Sequence, residues 1–217
     1  STFKYTFVER HRPFNQGIDH IAVAVCDIDW WVKHYKHWGF ETVYTPREKE
    51  EGLIEGTYSA MKTYALQREG LTVALVKGVD QKRKSQITTY VNLHGDHSVN
   101  HPALLCNNLP YVVASYAHAG VGFRLHKIPS PEEAVSVGHI LHTGKDDKGD
   151  LVQCFTKPFA RKQGKGGFFF ELIERVAADA EQNEGGQAFY NRTVGGLLKS
   201  IEEEDKRGDR GLIFPTV

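Results

Sequence analysis

The 217-residue sequence is poor in the features that mark several protein classes. Its three cysteines, Cys26, Cys106 and Cys154, are an odd number with no C-x-x-C pair. That excludes a disulfide scaffold and a thiolate zinc site, and it predicts three small core thiols in a reducing, cytoplasmic compartment. Neither charge is in excess, since 27 Lys and Arg balance 27 Asp and Glu. A dedicated nucleic-acid or membrane-surface binder needs a basic face, so neither partner is expected. No apolar run approaches the roughly 18 residues of a membrane span. The opening residues 1–11 lack the charged-then-apolar layout of a secretory leader, and residues 1–17 read as an N-terminal extension. With 40% apolar residues, the chain is long enough for one large domain or two fused modules around a real core.

Histidine, by contrast, is abundant at eleven. Two of these residues take corresponding places in an internal repeat. Residues 18–39 laid over 99–120 match at His20/His101, Ala22/Ala103, Val32/Val113, Tyr35/Tyr116, His37/His118 and Gly39/Gly120, and Asp27/Asn108 and Ile28/Leu109 agree in character. Each copy reads as a strand, a capping Asp or Asn, an amphipathic helix and a glycine stop before further strands. Strand-like runs follow at 58–66 and 71–77 in the first half, and at 151–156 and 167–175 in the second. The expected architecture is α+β: two βαβββ modules, 18–81 and 99–176. A connecting helix at 82–93 and its loop fill 82–98. The segment 139–150 reads as a polar turn, 177–186 as a loop and 197–207 as a C-terminal helix with a charged, solvated face.

Alternation along residues 18–25 puts Ile18, His20, Ala22 and Ala24 on one face and Ile21, Val23 and Val25 on the other. His101 likewise neighbours Ala103, so both histidines lie on the face with small residues, where a cavity has room. Pro102 holds His101 extended at the cost of one ladder donor. Glu171, within the apolar run 167–173, is expensive unless paired or bound to a cation. Two histidines and a carboxylate from separate strands make the facial triad that holds non-haem Fe(II) with positions left open. The competing readings are hydrogen-bonded core histidines and a carboxylate paired with an arginine. A rival cluster, His94-x-x-His97-x-x-x-His101, would need a helix that Gly95 interrupts, so His94 and His97 read as polar loop residues, as do His139 and His142.

With these motifs in order, the chain resembles the catalytic C-terminal half of the 4-hydroxyphenylpyruvate dioxygenase family, in the vicinal-oxygen-chelate superfamily. The resemblance rests on IDHIAVAV at 18–25, KSQITTYV at 84–91, Val99-Asn-His, LVQCFTKP at 151–158, FELIER at 170–175 and the tail from Phe189 through 197–203. It implies two tandem modules forming one curved-sheet barrel around a metal, closed by the C-terminal segment 177–217. It further implies catalytic metal ligands His20, His101 and Glu171 for Fe(II), and substrate contacts at Ser59, Gln86, Asn100, Gln153, Phe155 and Phe189.

Departures from the family pattern fall on the substrate side. Asn100 stands where the family has Gln, Leu75 lines up with a pocket Asn, and Val194 replaces an aromatic on the closing helix. The family's related N-terminal domain has no counterpart in the chain. The implied activity is oxidative decarboxylation of an aryl 2-oxo acid, with hydroxylation of the same molecule by O2. A mandelate-forming, ring-cleaving or non-aromatic variant stays open, as do a non-catalytic ligand-binding module and a homo-oligomer.

Overall fold

A computed structural model describes residues 17–44, 52–124, 142–146, 149–159 and 166–176. The expectations for 1–16, His139, Phe189, Val194, the loop at 177–186 and the C-terminal closing helix lie outside those residues. The described elements run β1 (Ile18–Ala24), α1 (Ile28–His37), β2 (Glu41–Tyr44), β3 (Leu53–Glu55), β4 (Ala60–Arg68), β5 (Leu71–Val79), α2 (Gln86–His94), β6 (Ser98–Leu105), α3 (Leu109–His118), β7 (His142–Asp146), β8 (Gly149–Phe155) and β9 (Glu171–Val176).

One mixed sheet carries the strands in the order β2-β4-β5-β1-β6-β9-β8-β7, with β3 also paired to β4. β1 and β6 lie antiparallel at the centre; each has its own module's last strand, β5 or β9, parallel on its outer side. The sheet therefore reads the same from its middle toward either edge. Among the described residues it is an open path rather than the closed barrel expected, because β2 and β7 are not paired with each other.

The local signals explain the helices. Asp27 accepts the Trp30 amide and Asn108 that of Tyr111, so both predicted caps form. Gly39 and Gly120 follow at φ 85° and 91°, a conformation that glycine takes without a Cβ clash. The connecting helix starts later than expected. Ser85 is extended (φ −63°, ψ 145°) and makes no cap; Asp80 instead accepts from the Ser85 amide and the Thr88 hydroxyl. His94 ends α2 rather than lying in a loop, and its Nε2 meets the Gly166 carbonyl. The segment read as a polar turn contains β7 and the start of β8, which pair from His142↔Gln153 to Asp146↔Gly149. Its Gly, Lys and Asp content is that of an edge strand kept from aggregating, which mimics a turn in sequence.

The two sheet faces are filled differently. Under α1, Val23, Val25, Leu66, Val73 and Leu75 pack against Ile28 and Tyr35. Under α3, Cys106, Cys154 and Leu172 pack against Leu109, Val112 and Val113. The opposite face carries His20, Ala22 and Ala24, and α2 covers its Ala24–Val76 corner through Tyr90 and Val91. The approach is close: a Cβ on Gly78 would lie 2.4 Å from Thr88 Oγ1 and 2.5 Å from its amide nitrogen. Cys26 departs from the expectation of three core thiols. It is exposed, because it stands past the end of β1 at the turn into α1.

Candidate metal centre

Strand register brings the centre together. Across the inner face, Ala103 pairs with His20 on one side and Glu171 on the other, while Ala22 pairs with His101. These two buried alanines leave room in which three larger side chains converge. His20 Nε2 lies 3.5 Å and His101 Nε2 3.3 Å from the same Glu171 oxygen, Oε2. The two imidazoles meet edge-on with centroids 6.0 Å apart. All three residues are buried, at 5%, 6% and 4% exposure. One ligand atom from each lies within 4.8 Å of the others, and this is the metal-capable group found among the described residues. Pro102 is tolerated inside the sheet because it pairs with Ile21 just before β6 gains β9 as its second neighbour.

Each histidine is fixed by the residue that precedes it. His20 Nδ1 is 2.9 Å from Asp19 Oδ1, and His101 Nδ1 is 3.0 Å from Asn100 Oδ1. Both bonds are consistent with Nδ1–H donors, which leave the Nε2 atoms as the pair facing Glu171. The register slips between Ile18 and His20, which takes Asp19 out of simple alternation. Arg175, four residues beyond Glu171 on β9, donates to Asp19 through Nε at 2.7 Å and Nη2 at 2.8 Å. This forked bond reaches across β6. Phe169 stacks on His101 with centroids 4.5 Å apart, and the Arg124 guanidinium lies over the Phe169 ring at 5.1 Å.

Burial works against every charge here, and the partners decide the outcome. It would depress the His20 imidazolium, but the Glu171 charge and the Asp19 hydrogen bond lift it from 6.5 to about 9. It would raise Glu171, yet the charge of His20 and the bond to His101 hold that carboxyl at about 2. Asp19 is kept well below the carboxylate range by Arg175 and His20, against the same burial. His101 moves down, because burial outweighs Glu171. A deprotonated carboxylate with two imidazole Nε2 atoms is an N,N,O donor set suited to a divalent first-row metal such as Fe(II).

The remaining expected contacts are distributed as follows. Phe155 pairs with Glu171 and Gln153 with Ile173, so both lie on the inner face. Both are also buried. Ser59 is buried just before β4. Gln86 opens α2 on the inner face, and its Nε2 is buried without a hydrogen-bond partner among the described residues. Asn100 is engaged by His101. Leu75 needs a correction: it is fully buried under α1 with Val23 and Ile28, on the face opposite His20. A residue at that position cannot replace a pocket Asn, because the parity of β5 turns Ala74, Val76 and Gly78 inward. Asp19, Arg175, Phe169 and Arg124 were not anticipated. The spacing of Arg175 from Glu171, four residues on one strand face, was the available signal.

No protein-family model matches the chain. It is 30% identical over 166 residues to 4-hydroxyphenylpyruvate dioxygenase of Hordeum vulgare, covering 64% of this chain and 37% of that one. The corresponding protein of Sus scrofa is 26% identical over 213 residues, covering 87% of this chain and 50% of the relative. Among solved structures, a variant of 4-hydroxymandelate synthase from Streptomyces coelicolor superposes with a TM-score of 0.67. That match is at 21% identity and covers 87% of this chain and 54% of that one. The chain thus spans about half the length of the relatives it matches, or less. It carries the vicinal-oxygen-chelate fold and is a relative of the 4-hydroxyphenylpyruvate dioxygenases.

Proposed function

We propose that the chain is an Fe(II)-dependent dioxygenase in which His20, His101 and Glu171 hold the metal and an aryl 2-oxo acid is the organic substrate. The observation that carries the reading is the convergence of two Nε2 atoms on one carboxylate oxygen, with each Nδ1 already engaged. Fe(II) held there supplies the O2 chemistry that amino-acid side chains lack. With three protein ligands, the centre would leave positions open for the keto and carboxylate oxygens of a 2-oxo acid.

The surrounding residues do the positioning. Phe155 pairs with Glu171 and contacts Phe169 edge-on with centroids 6.1 Å apart, which confines an aromatic ring close to the reacting end. Among the described residues the buried Gln86 amide has no acceptor, and a hydroxyl or carbonyl at the substrate's far end meets that need. Gln153 adds a second polar group on the same face, which favours substrates able to bond with both. Burial of the three ligands limits water, and with it loss of reactive species. Oxidative decarboxylation, followed by hydroxylation of the same molecule, is the reaction this arrangement serves.

The test is anaerobic reconstitution with Fe(II), then O2 uptake with 4-hydroxyphenylpyruvate and a panel of aryl 2-oxo acids, with mass spectrometry of the products. O2 consumption coupled to CO2 release is expected, with ring-hydroxylated and mandelate-type products separating the two parent reactions. Glu171→Gln and His101→Ala should lose turnover while circular dichroism shows a folded chain. Turnover retained by either variant overturns the ligand assignment.

A further inference from the structure

The outer surface of α1 carries apolar area that the fold does not use. Trp30 and Trp38 are each 48% exposed, although indole rings are among the largest apolar groups a chain can bury. With half-buried His34 between them they form a stripe at i, i+4 and i+8, Trp38 standing at the helix C-cap. The stripe is stacked from end to end. Trp30 lies on His34 with centroids 3.5 Å apart, and His34 meets Trp38 edge-on at 6.3 Å. The internal repeat supplies a comparison. In α3 the corresponding places hold Tyr111, Ser115 and Ala119, and that helix covers its own core with Val112 and Val113. Packing a module's helix on its sheet therefore does not require these aromatics. Tryptophan left outside in this way is the residue type enriched at protein interfaces.

The stripe is also self-complementary. Read from either end it is Trp-x-x-x-His-x-x-x-Trp, so a two-fold axis at His34 brings Trp30 of one helix onto Trp38 of an antiparallel mate. The charges follow the same rule, with Asp29 in the first turn of α1 and Lys36 and His37 in the last. Antiparallel pairing sets each acidic end beside a basic one and opposes the two helix dipoles. Lys33, which is exposed, flanks the axis in both copies, a like-charge approach that keeps the contact weak. We propose that α1 is a homodimer interface, occupied by a second copy of this chain docked antiparallel across Trp30, His34 and Trp38. One helix face falls at the small end of specific interfaces, so the dimer forms and dissociates in the micromolar range. The metal centre is left untouched, because α1 packs on the sheet face opposite His20.

Sedimentation velocity of the full chain over a micromolar concentration series tests this. The wild type should show a monomer–dimer equilibrium, and Trp30→Ala/Trp38→Ala should raise the dissociation constant by about tenfold or more. Circular dichroism should show that variant folded, because neither ring is part of the core under α1. In a Cys26→Ser background, His34→Cys should cross-link two copies through its own disulfide when treated with oxidised glutathione. Ser115→Cys, its repeat mate on α3, should not. Asp29→Lys should weaken the dimer, and Lys36→Asp added to it should restore the pairing.

A wild type that stays monomeric overturns the proposal and leaves the stripe to a partner of another kind. So does a dimer that survives loss of both tryptophans, which puts the interface elsewhere. A dimer that needs the tryptophans but gives no cross-link at position 34 overturns the antiparallel arrangement.

Discussion

Asp19 and Asn100 perform one task with different charge. Each accepts from the Nδ1 of the histidine that follows it, but only Asp19 is itself gripped by an arginine. The carboxylate makes His20 the more basic ligand, and Arg175 keeps that carboxylate ionised and fixed in orientation. Asp19→Asn should therefore weaken Fe(II) or Co(II) binding about 10- to 100-fold with the chain still folded. Arg175→Met should act in the same direction through a loosened Asp19. Unchanged metal affinity in Asp19→Asn, measured by competition with a chelating dye, would remove Asp19 from the centre. The three central residues were legible in the sequence because a repeat, a face pattern and an isolated carboxylate all pointed at them. Their supports were not. Asp19 precedes a histidine on a strand, so simple alternation sends it to the opposite face, and only the register slip beside it returns its side chain to His20.

At the scale of elements, signals that act within one turn were readable and those that depend on a neighbour were not. Asp27, Asn108 and the two glycines define α1 and α3 locally. The start of α2 depends on Asp80, which lies six residues before Gln86 and caps from outside the helix. β7 is visible only through its pairing with β8, because its own residues look like a turn. Leu75 shows the consequence for function. A linear match puts it where a pocket Asn is expected, whereas strand parity puts it in the core under α1. Leu75→Asn should consequently destabilise the chain by about 3 kcal/mol or more, the sum of a lost apolar contact and a buried amide. Metal affinity should stay unchanged in the fraction that folds. Thermal melts and a Co(II) titration check both, and an altered substrate preference at undiminished stability would restore Leu75 to the pocket.

Over the whole molecule, the buried centre is balanced without a metal. Among the described residues, the carboxylates of Asp19 and Glu171 face the Arg175 guanidinium and the His20 imidazolium, whose pKa is raised to about 9. That balance fixes how the metal-free chain responds to pH. Because the folded-state value of His20 is raised, its contribution is complete below its ordinary value of 6.5 and is lost as pH climbs through about 9. Glu171 is shifted the other way, so its contribution is complete above its ordinary 4.5 and is lost as pH falls toward about 2. The metal-free chain should be most stable between these limits, with melting temperature declining on the alkaline side first by way of His20. Metal binding must displace the same proton from Nε2, so affinity should rise with pH by about one decade per unit until it levels near 9. Titrations of Co(II) or Fe(II) at pH 6, 7 and 8 should show that slope, with release of about one proton per ion in two buffers of different ionisation heat. An affinity independent of pH over this range would mean that His20 is already neutral, and that the buried charges are not paired as the hydrogen bonds between Asp19, Arg175 and His20 indicate.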